Sequence, residues 1–225
     1  MIHFCIITLG CADLVELALA SIKKYAGNCV GDVGTLPADT TDPVMHGRAI
    51  DLWRARHGPV ADNDIVVIMD PDVVILSGGW RREMESAFSD PRIGIWGAGS
   101  AEDFGPRVHA SMMAIRGKLW NELPVTFTPG NDKNWRDTGG NYCKWATWGN
   151  WVLKPIERGL DWHEFSAWGW CYGSQTNWCK PAWVHLGGGS HSDPTRLTWL
   201  QRMRRWRAIR ERERFKRLVR EHLCS

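Results

Sequence analysis

The 225-residue chain has no Cys-x-x-Cys pair, no basic stretch behind Met1, no internal repeat and no apolar run near the ~20 residues of a membrane-spanning helix. Each absence removes a class of protein. The seven cysteines, at 5, 11, 29, 143, 171, 179 and 224, are odd in number and irregularly spaced. That fits reduced thiols rather than a disulfide framework or a structural zinc site. Met1 leads straight into Ile2-His3-Phe4-Cys5-Ile6-Ile7-Thr8, without the charged region of a secretory signal. The expectation is a cytoplasmic protein. Length and a hydrophobic content of 44% allow one sizeable core, so a single domain of mixed class is expected and a disordered chain is excluded.

Strong overall charge is also missing, since the net value is +3. The distribution is uneven, however. Residues 196–225 hold eleven Lys/Arg and three Glu, a balance of +8, while residues 1–195 hold 17 Lys/Arg against 22 Asp/Glu, a balance of −5. An acidic body with a basic extension suggests two tasks. Tryptophan is abundant: nine of the fifteen fall within residues 135–183. Indoles pack loop-rich subregions and also serve as stacking platforms for ring-shaped ligands.

The most informative segment is Ile65-Val66-Val67-Ile68-Met69-Asp70-Pro71-Asp72-Val73-Val74-Ile75-Leu76. Five apolar, mostly β-branched residues in a row read as a strand buried on both faces, as in a parallel, helix-covered sheet. Ligands of such sheets bind beyond the carboxyl ends of the strands, where Asp70 and Asp72 emerge. Alternate residues point the same way, so both carboxylates could address one hard cation such as Mg²⁺ or Mn²⁺, shared with phosphates. The plainer reading is a strand followed by an Asp-Pro turn.

Around this segment the chain reads as alternating strands and helices. Ile2 to Thr8 is a buried strand, followed by a helix from Asp13 to about Tyr25 with Gly27 past its end. Residues 28–33 suit a short second strand ending near Asp32, and Gly34 to Pro43 suits a loop. His46 to Arg56 is helical in pattern, Gly79-Trp80 opens a helix to Phe88, and strands are expected at Ile93 to Trp96 and His109 to Ile115. Residues 124–136 read as loop, and Asp137 as the N-cap of a helix to about Thr147. Ala182 to Leu186 is a last short strand.

Two further groupings carry chemistry. Trp183-Val184-His185-Leu186-Gly187-Gly188-Gly189 is a strand ending in a histidine and three glycines. Histidine can complete a metal's ligand set, and glycine backbone lets amides approach a diphosphate. The alternative is a strand histidine before a flexible turn. Asp137, within Trp135-Arg136-Asp137-Thr138-Gly139-Gly140, suits either a helix cap or a general base.

This combination resembles the GT-A type glycosyltransferases, particularly the small family-2-like enzymes of bacteria and their phages. The resemblance covers most of residues 1–191. It rests on the opening strand-turn-helix, on His46-Gly47-Arg48-Ala49-Ile50-Asp51-Leu52, on Asp70-Pro71-Asp72 with Gly79-Trp80, on Val108 to Arg116, on Asp137-Thr138-Gly139 and on His185-Leu186-Gly187-Gly188. It implies an α/β fold with a Rossmann-like, mostly parallel sheet over residues 1–194. The nucleotide-binding half would be 1–97, the acceptor-side half 98–194, and 195–225 a basic helix. It also implies sugar transfer from a nucleotide-sugar, most often a UDP-sugar, to a hydroxyl. Asp72 and His185 would hold Mn²⁺ or Mg²⁺, and Asp70 would contact the donor. Thr8 and Asp32 would lie beside the base, with His46, Gly47, Gly187 and Gly188 lining the donor site. Asp137 would deprotonate the acceptor. A phage enzyme would work in the host cytoplasm.

The main rival is a haloacid-dehalogenase-type phosphatase, whose Asp-x-Asp normally sits on the first strand rather than behind a strand-helix-strand-helix unit. A nucleic-acid-binding module is the non-enzyme alternative. The tail from Thr195 to Leu223 reads as one helix, with stripes at Trp199, Met203, Trp206 and Ile209 and at Phe215, Leu218, Val219 and Leu223. It would dock on its own domain, lie on a membrane surface or bind nucleic acid, with docking expected first. A transferase acting on a modified base in DNA would account for both the acidic body and the basic tail, with protein or a lipid-linked glycan as the alternative acceptor.

Overall fold

A computed structural model describes residues 1–8, 12–27, 30–37, 43–99, 108–129, 138–156, 158–159, 170–172, 183–186 and 199–225, with side chains described except at 32, 36–37, 43–45, 158–159, 170–172, 184 and 199–208. The first strand, β1 (Ile2–Thr8), buries Phe4, Cys5, Ile6 and Ile7 completely. Alternation sends Phe4 and Ile6 to one face of the sheet and Cys5 and Ile7 to the other. The strand β3 (Ile65–Met69) behaves alike, with Val67 and Met69 on the first face and Val66 and Ile68 on the second. That is the physical basis of the continuous apolar runs.

Helices cover both faces. On the first lie α1 (Ala12–Tyr25), through Ala18 and Ile22, and α3 (Gly79–Phe88), through Trp80, Met84 and Phe88. On the second lie α2 (Pro43–His57), through Ala49, Ile50 and Trp53; α4 (Gly117–Glu122), through Leu119 and Trp120; and α5 (Gly140–Trp148), through Tyr142, Cys143 and Ala146. Between them β1, β2 (Val30–Pro37), β3, β5 (Ile93–Gly99), β6 (Val108–Arg116) and β7 (Val152–Ile156) form a six-stranded sheet in the order β2-β1-β3-β6-β5-β7. β1 runs parallel to β2 and β3, β5 runs parallel to β7, and β6 is antiparallel to both neighbours. The fold is therefore α/β with a mostly parallel sheet, as expected.

Several boundaries differ from expectation. β2 does not end near Asp32 but continues to Pro37, pairing Gly34 with Cys5 and Pro37 with Thr8. Its Gly-Thr-Leu-Pro composition suits a loop by local propensity, yet proline is tolerated on an edge strand. Gly34 is also required there, because a Cβ would lie 1.9 Å from the Trp53 indole nitrogen. The Asp-Pro-Asp run is two strands rather than one. β3 stops at Met69, and β4 (Val73–Ile75) joins a second, antiparallel sheet with β8 (Arg158–Gly159), β9 (Trp170–Tyr172) and β10 (Trp183–His185) in the order β4-β10-β9-β8. α4 and β7 had no sequence expectation. The N-cap position of α5 is taken by Gly139, at φ +78°, instead of Asp137.

The tail forms α6 (Trp199–Cys224). Phe215 and Val219 are fully buried against Leu14 and Leu17 of α1 and against Val74, Leu76 and Leu186. Docking on its own domain is thus the outcome for the second apolar stripe. Ile209, from the first stripe, is 48% exposed. Among the described residues no helix is long and apolar enough to cross a membrane.

Candidate metal centre

Asp70 leaves the carboxyl end of β3 with its backbone N–H donated to the Ser111 carbonyl of β6 at 2.9 Å. A turn follows, closed by Val73 N–H to the Asp70 carbonyl at 3.2 Å. The chain then enters β4, which pairs with β10 so that His185 lies opposite Val73 and the Leu186 N–H reaches the Asp72 carbonyl at 3.0 Å. This pairing carries His185 to the Asp-Pro-Asp turn. His185 Nε2 lies 3.2 Å from Asp72 Oδ1 and 3.8 Å from Asp70 Oδ2. One ligand atom from each of Asp70, Asp72 and His185 falls within 4.8 Å of the others.

The donor set fits a divalent cation. Ligand atoms in one octahedral shell around an ion bound at 2.0–2.1 Å stand about 2.9 Å apart when adjacent and about 4.1 Å apart when opposite, and the contacts of 3.2 and 3.8 Å lie between those values. Two carboxylates and one imidazole suit Mg²⁺ or Mn²⁺ on ligand type. Burial adds to the case: Asp72 is 2% and His185 6% exposed, and a buried carboxylate beside a second, partly buried one is repelled by it unless a cation offsets the charge.

On the other side of Asp70 stands His46 of α2. Its Nε2 lies 3.3 Å from Asp70 Oδ1, a close polar contact rather than an aligned hydrogen bond. Its Nδ1 is hydrogen-bonded to Thr138 Oγ1 at 3.3 Å. α2 is clamped to the segment before α5. A Cβ on Gly47 would lie 2.6 Å from the Thr128 nitrogen, so only glycine permits this approach. Asp51 accepts the Phe127 N–H at 3.0 Å and bonds the Thr126 hydroxyl. The Phe127 carbonyl in turn accepts the Gly139 N–H at 3.0 Å. Arg54 closes the same segment, donating to the carbonyls of Trp120, Leu123 and Val125.

The sequence candidates distribute as follows. Asp70, Asp72, His185 and His46 meet in one place, and Gly47 sits beside them on α2. Thr8 ends β1, next to the end of β3, since Ile6 pairs with Met69. Asp32 does not join them. It lies level with the start of β1, where Phe4 pairs with Val33, and Pro37 at the ligand-binding end is roughly 16 Å further along the strand. The cause is the extension of β2, which makes Asp32 an early strand residue instead of the last. Asp137, Gly187 and Gly188 lie outside the described residues, although their neighbours Thr138 and Leu186 are placed. Of the tryptophans in 135–183, Trp183 is buried, Trp145 and Trp148 are 42% and 61% exposed, and Trp135, Trp162, Trp168 and Trp178 lie outside the described residues. Sequence reasoning missed Thr138, whose only signal was its place beside Asp137.

No protein-family model and no curated protein matches this chain. Among solved structures it is similar to a mannosyltransferase from Pyrobaculum calidifontis, determined in complex with GDP-Man and Mn²⁺. The identity is 16% and the TM-score 0.51, covering 69% of this chain and 54% of that one. It is also similar to the catalytic domain of Drosophila β1,4-galactosyltransferase 7, in complex with xylobiose, at 10% identity, TM-score 0.49, and 90% and 77% coverage. A third similar structure is a glycosyltransferase involved in glycosylation of the major capsid of PBCV-1, at 16% identity, TM-score 0.43, and 68% and 82% coverage. The chain spans about half the length of the mannosyltransferase. At these identities the likeness is one of fold, and the fold is of the GT-A type.

Proposed function

We propose that the protein is a metal-dependent glycosyltransferase, moving a sugar from a nucleoside-diphosphate donor, a UDP-sugar first, to a hydroxyl acceptor. One observation carries this reading: an Asp70–Asp72–His185 cluster, with Asp72 and His185 buried, at the carboxyl end of β3 in a GT-A-type fold. Ligands of open α/β sheets bind beyond that end. Asp72 and His185 would hold Mn²⁺ or Mg²⁺, and the similar mannosyltransferase was determined with Mn²⁺. When bound, such an ion offsets the negative charge that grows on the departing diphosphate.

The chain's own residues would divide the remaining work. Asp70 would orient the donor, Thr8 would border the nucleotide, and the amides of Gly187 and Gly188, next to Leu186, would approach the diphosphate. Asp137 would accept the proton of the attacking hydroxyl. The outward face of α6, where Arg210, Arg217 and Arg220 are exposed, would attract a polyanionic acceptor, with DNA carrying a modified base ahead of an anionic membrane surface.

The test is Mn²⁺-dependent hydrolysis and transfer from UDP-sugars, with GDP-sugars screened in parallel. Asp72→Ala should abolish both activities, while a circular-dichroism melt confirms a folded protein. Unchanged turnover in that variant would overturn the assignment.

A further inference from the structure

We propose that Asp70 joins Asp72 and His185 as a ligand of the cation, and that His46 is a positioning residue that couples Asp70 to Thr138, so that one imidazole sets the donor-side ligands relative to the start of helix α5. This rests on the transferase reading above and deepens it.

The imidazole bridges two otherwise separate elements, with Nε2 3.3 Å from Asp70 Oδ1 and Nδ1 3.3 Å from Thr138 Oγ1. Chemistry orders the bridge. A carboxylate only accepts, a hydroxyl can donate, and a neutral imidazole has one nitrogen of each kind. The tautomer that suits both neighbours carries its proton on Nε2, beside Asp70 at contact rather than hydrogen-bond geometry, and accepts the Thr138 hydroxyl at Nδ1. Such outer partners fix the orientation of metal-ligating groups.

The ring is held from behind. Gly47 presses α2 onto Phe127 and Thr128, Asp51 bonds the Phe127 N–H, and Phe127 accepts from Gly139, the residue after Thr138. The bridge is therefore one member of a closed loop of contacts running α2, residues 126–128, the α5 start and back to α2. Asp70 stands between two imidazoles, with Oδ1 toward His46 and Oδ2 toward His185. Turning its carboxylate toward or away from His46 also moves the oxygen that faces His185. Group transfer needs donor and acceptor atoms held to within fractions of an ångström of ~3–3.5 Å, and a shared ring is a direct way to tie the two sides together.

The experiment titrates the 225-residue protein with Mn²⁺ and counts free ion by electron paramagnetic resonance, for wild type, Asp72→Ala, His46→Gln, His46→Asn, Thr138→Val and the His46→Asn/Thr138→Val double variant. A glutamine amide reaches the Nε2 position, so His46→Gln should keep affinity within about threefold. An asparagine amide reaches only the Nδ1 position, and His46→Asn should lose ~10-fold, as outer-sphere replacements do. Thr138→Val, nearly isosteric at a buried position, should lose about threefold, the worth of one modest hydrogen bond. It should add nothing on top of His46→Asn if the two residues act as one unit. Wild-type affinity in both His46→Asn and Thr138→Val overturns the coupling and leaves the metal site standing. A wild type that binds no more Mn²⁺ than Asp72→Ala overturns the metal reading, and the coupling with it. Should His46→Asn fail to fold, the Thr138→Val titration decides alone.

Discussion

Asp72 was readable from sequence because its chemistry is local: a carboxylate two residues past Asp70, behind a strand of five apolar residues, has to leave the core at a ligand-binding edge. Asp137 is a narrower case. The N-cap position of α5 belongs to Gly139, and Asp137 itself lies outside the described residues. Asp137→Asn should leave folding and Mn²⁺ binding intact while sugar transfer drops by the ~10²–10⁴ that general-base loss commonly costs. Steady-state rates beside a Mn²⁺ titration give the check, and transfer at the wild-type rate would send the role to another group. His109 is then a candidate on position, since β6 runs past the end of β3 at Ser111, next to Asp70.

At the scale of elements, α6 is a brace for the β4–β10 strand pair that positions Asp72 and His185. Phe215 and Val219 pack beneath Val74 and Leu186, which lie close in sequence to Asp72 and His185. Polar contacts fix its register. Lys216 reaches Asp13 at 2.8 Å, Arg212 bonds the same carboxylate, and Lys24 donates to the Leu223 carbonyl at 2.8 Å near the end of α6. Burial would raise the Asp13 pKa, but the hydrogen bonds from Lys216 and Arg212 outweigh it and hold the value at about 2. A carboxyl depressed in the fold contributes stability above its unfolded value of ~3.9, and loses it as pH falls toward the folded value. The anchor should therefore hold at neutral pH and weaken between about pH 4 and pH 2. Asp13 is a third exposed, so solvent screening keeps its contribution modest. Hydrogen-exchange protection factors across residues 209–224, taken relative to intrinsic rates, should fall as pH drops through this window in wild type and be lowered already at pH 6 in Asp13→Asn. Identical exchange in the two proteins would remove Asp13 as the anchor.

For the molecule as a whole, the question is why a body of charge −5 carries a tail of +8. Arg212 and Lys216 bond Asp13, and Arg210, Arg217 and Arg220 are exposed. Deleting the helix would strip the cover from Leu14, Leu17, Val74, Leu76 and Leu186, so it would test folding and recruitment together. The combined Arg210→Gln, Arg217→Gln and Arg220→Gln variant separates them. If those arginines meet phosphates, affinity for duplex DNA should fall steeply with salt, and the log–log slope should flatten by up to ~0.9 for each contact removed. Mn²⁺ affinity should stay as in wild type. An unchanged slope would leave α6 as a brace only.

The alternating apolar strands, the helices α1 and α3 and the Asp-Pro-Asp exit could all be read from the chain, because each is encoded in a window of a few residues whose periodicity matches one element. The same windows misjudged Gly34 to Pro37, where pairing with β1 overrides composition, and with it the place of Asp32. They did not show how His185 would reach Asp72, a meeting that only the family resemblance implied, nor that His46 would stand between Asp70 and Thr138. Those meetings depend on β10 pairing with β4 and on α2 being clamped to residues 126–128, contacts between segments far apart in the chain. Residue type and local spacing therefore determined which groups could do chemistry. Strand pairing and close packing between distant segments decided which of them share a site, because a contact across that separation leaves no periodic trace in either segment alone.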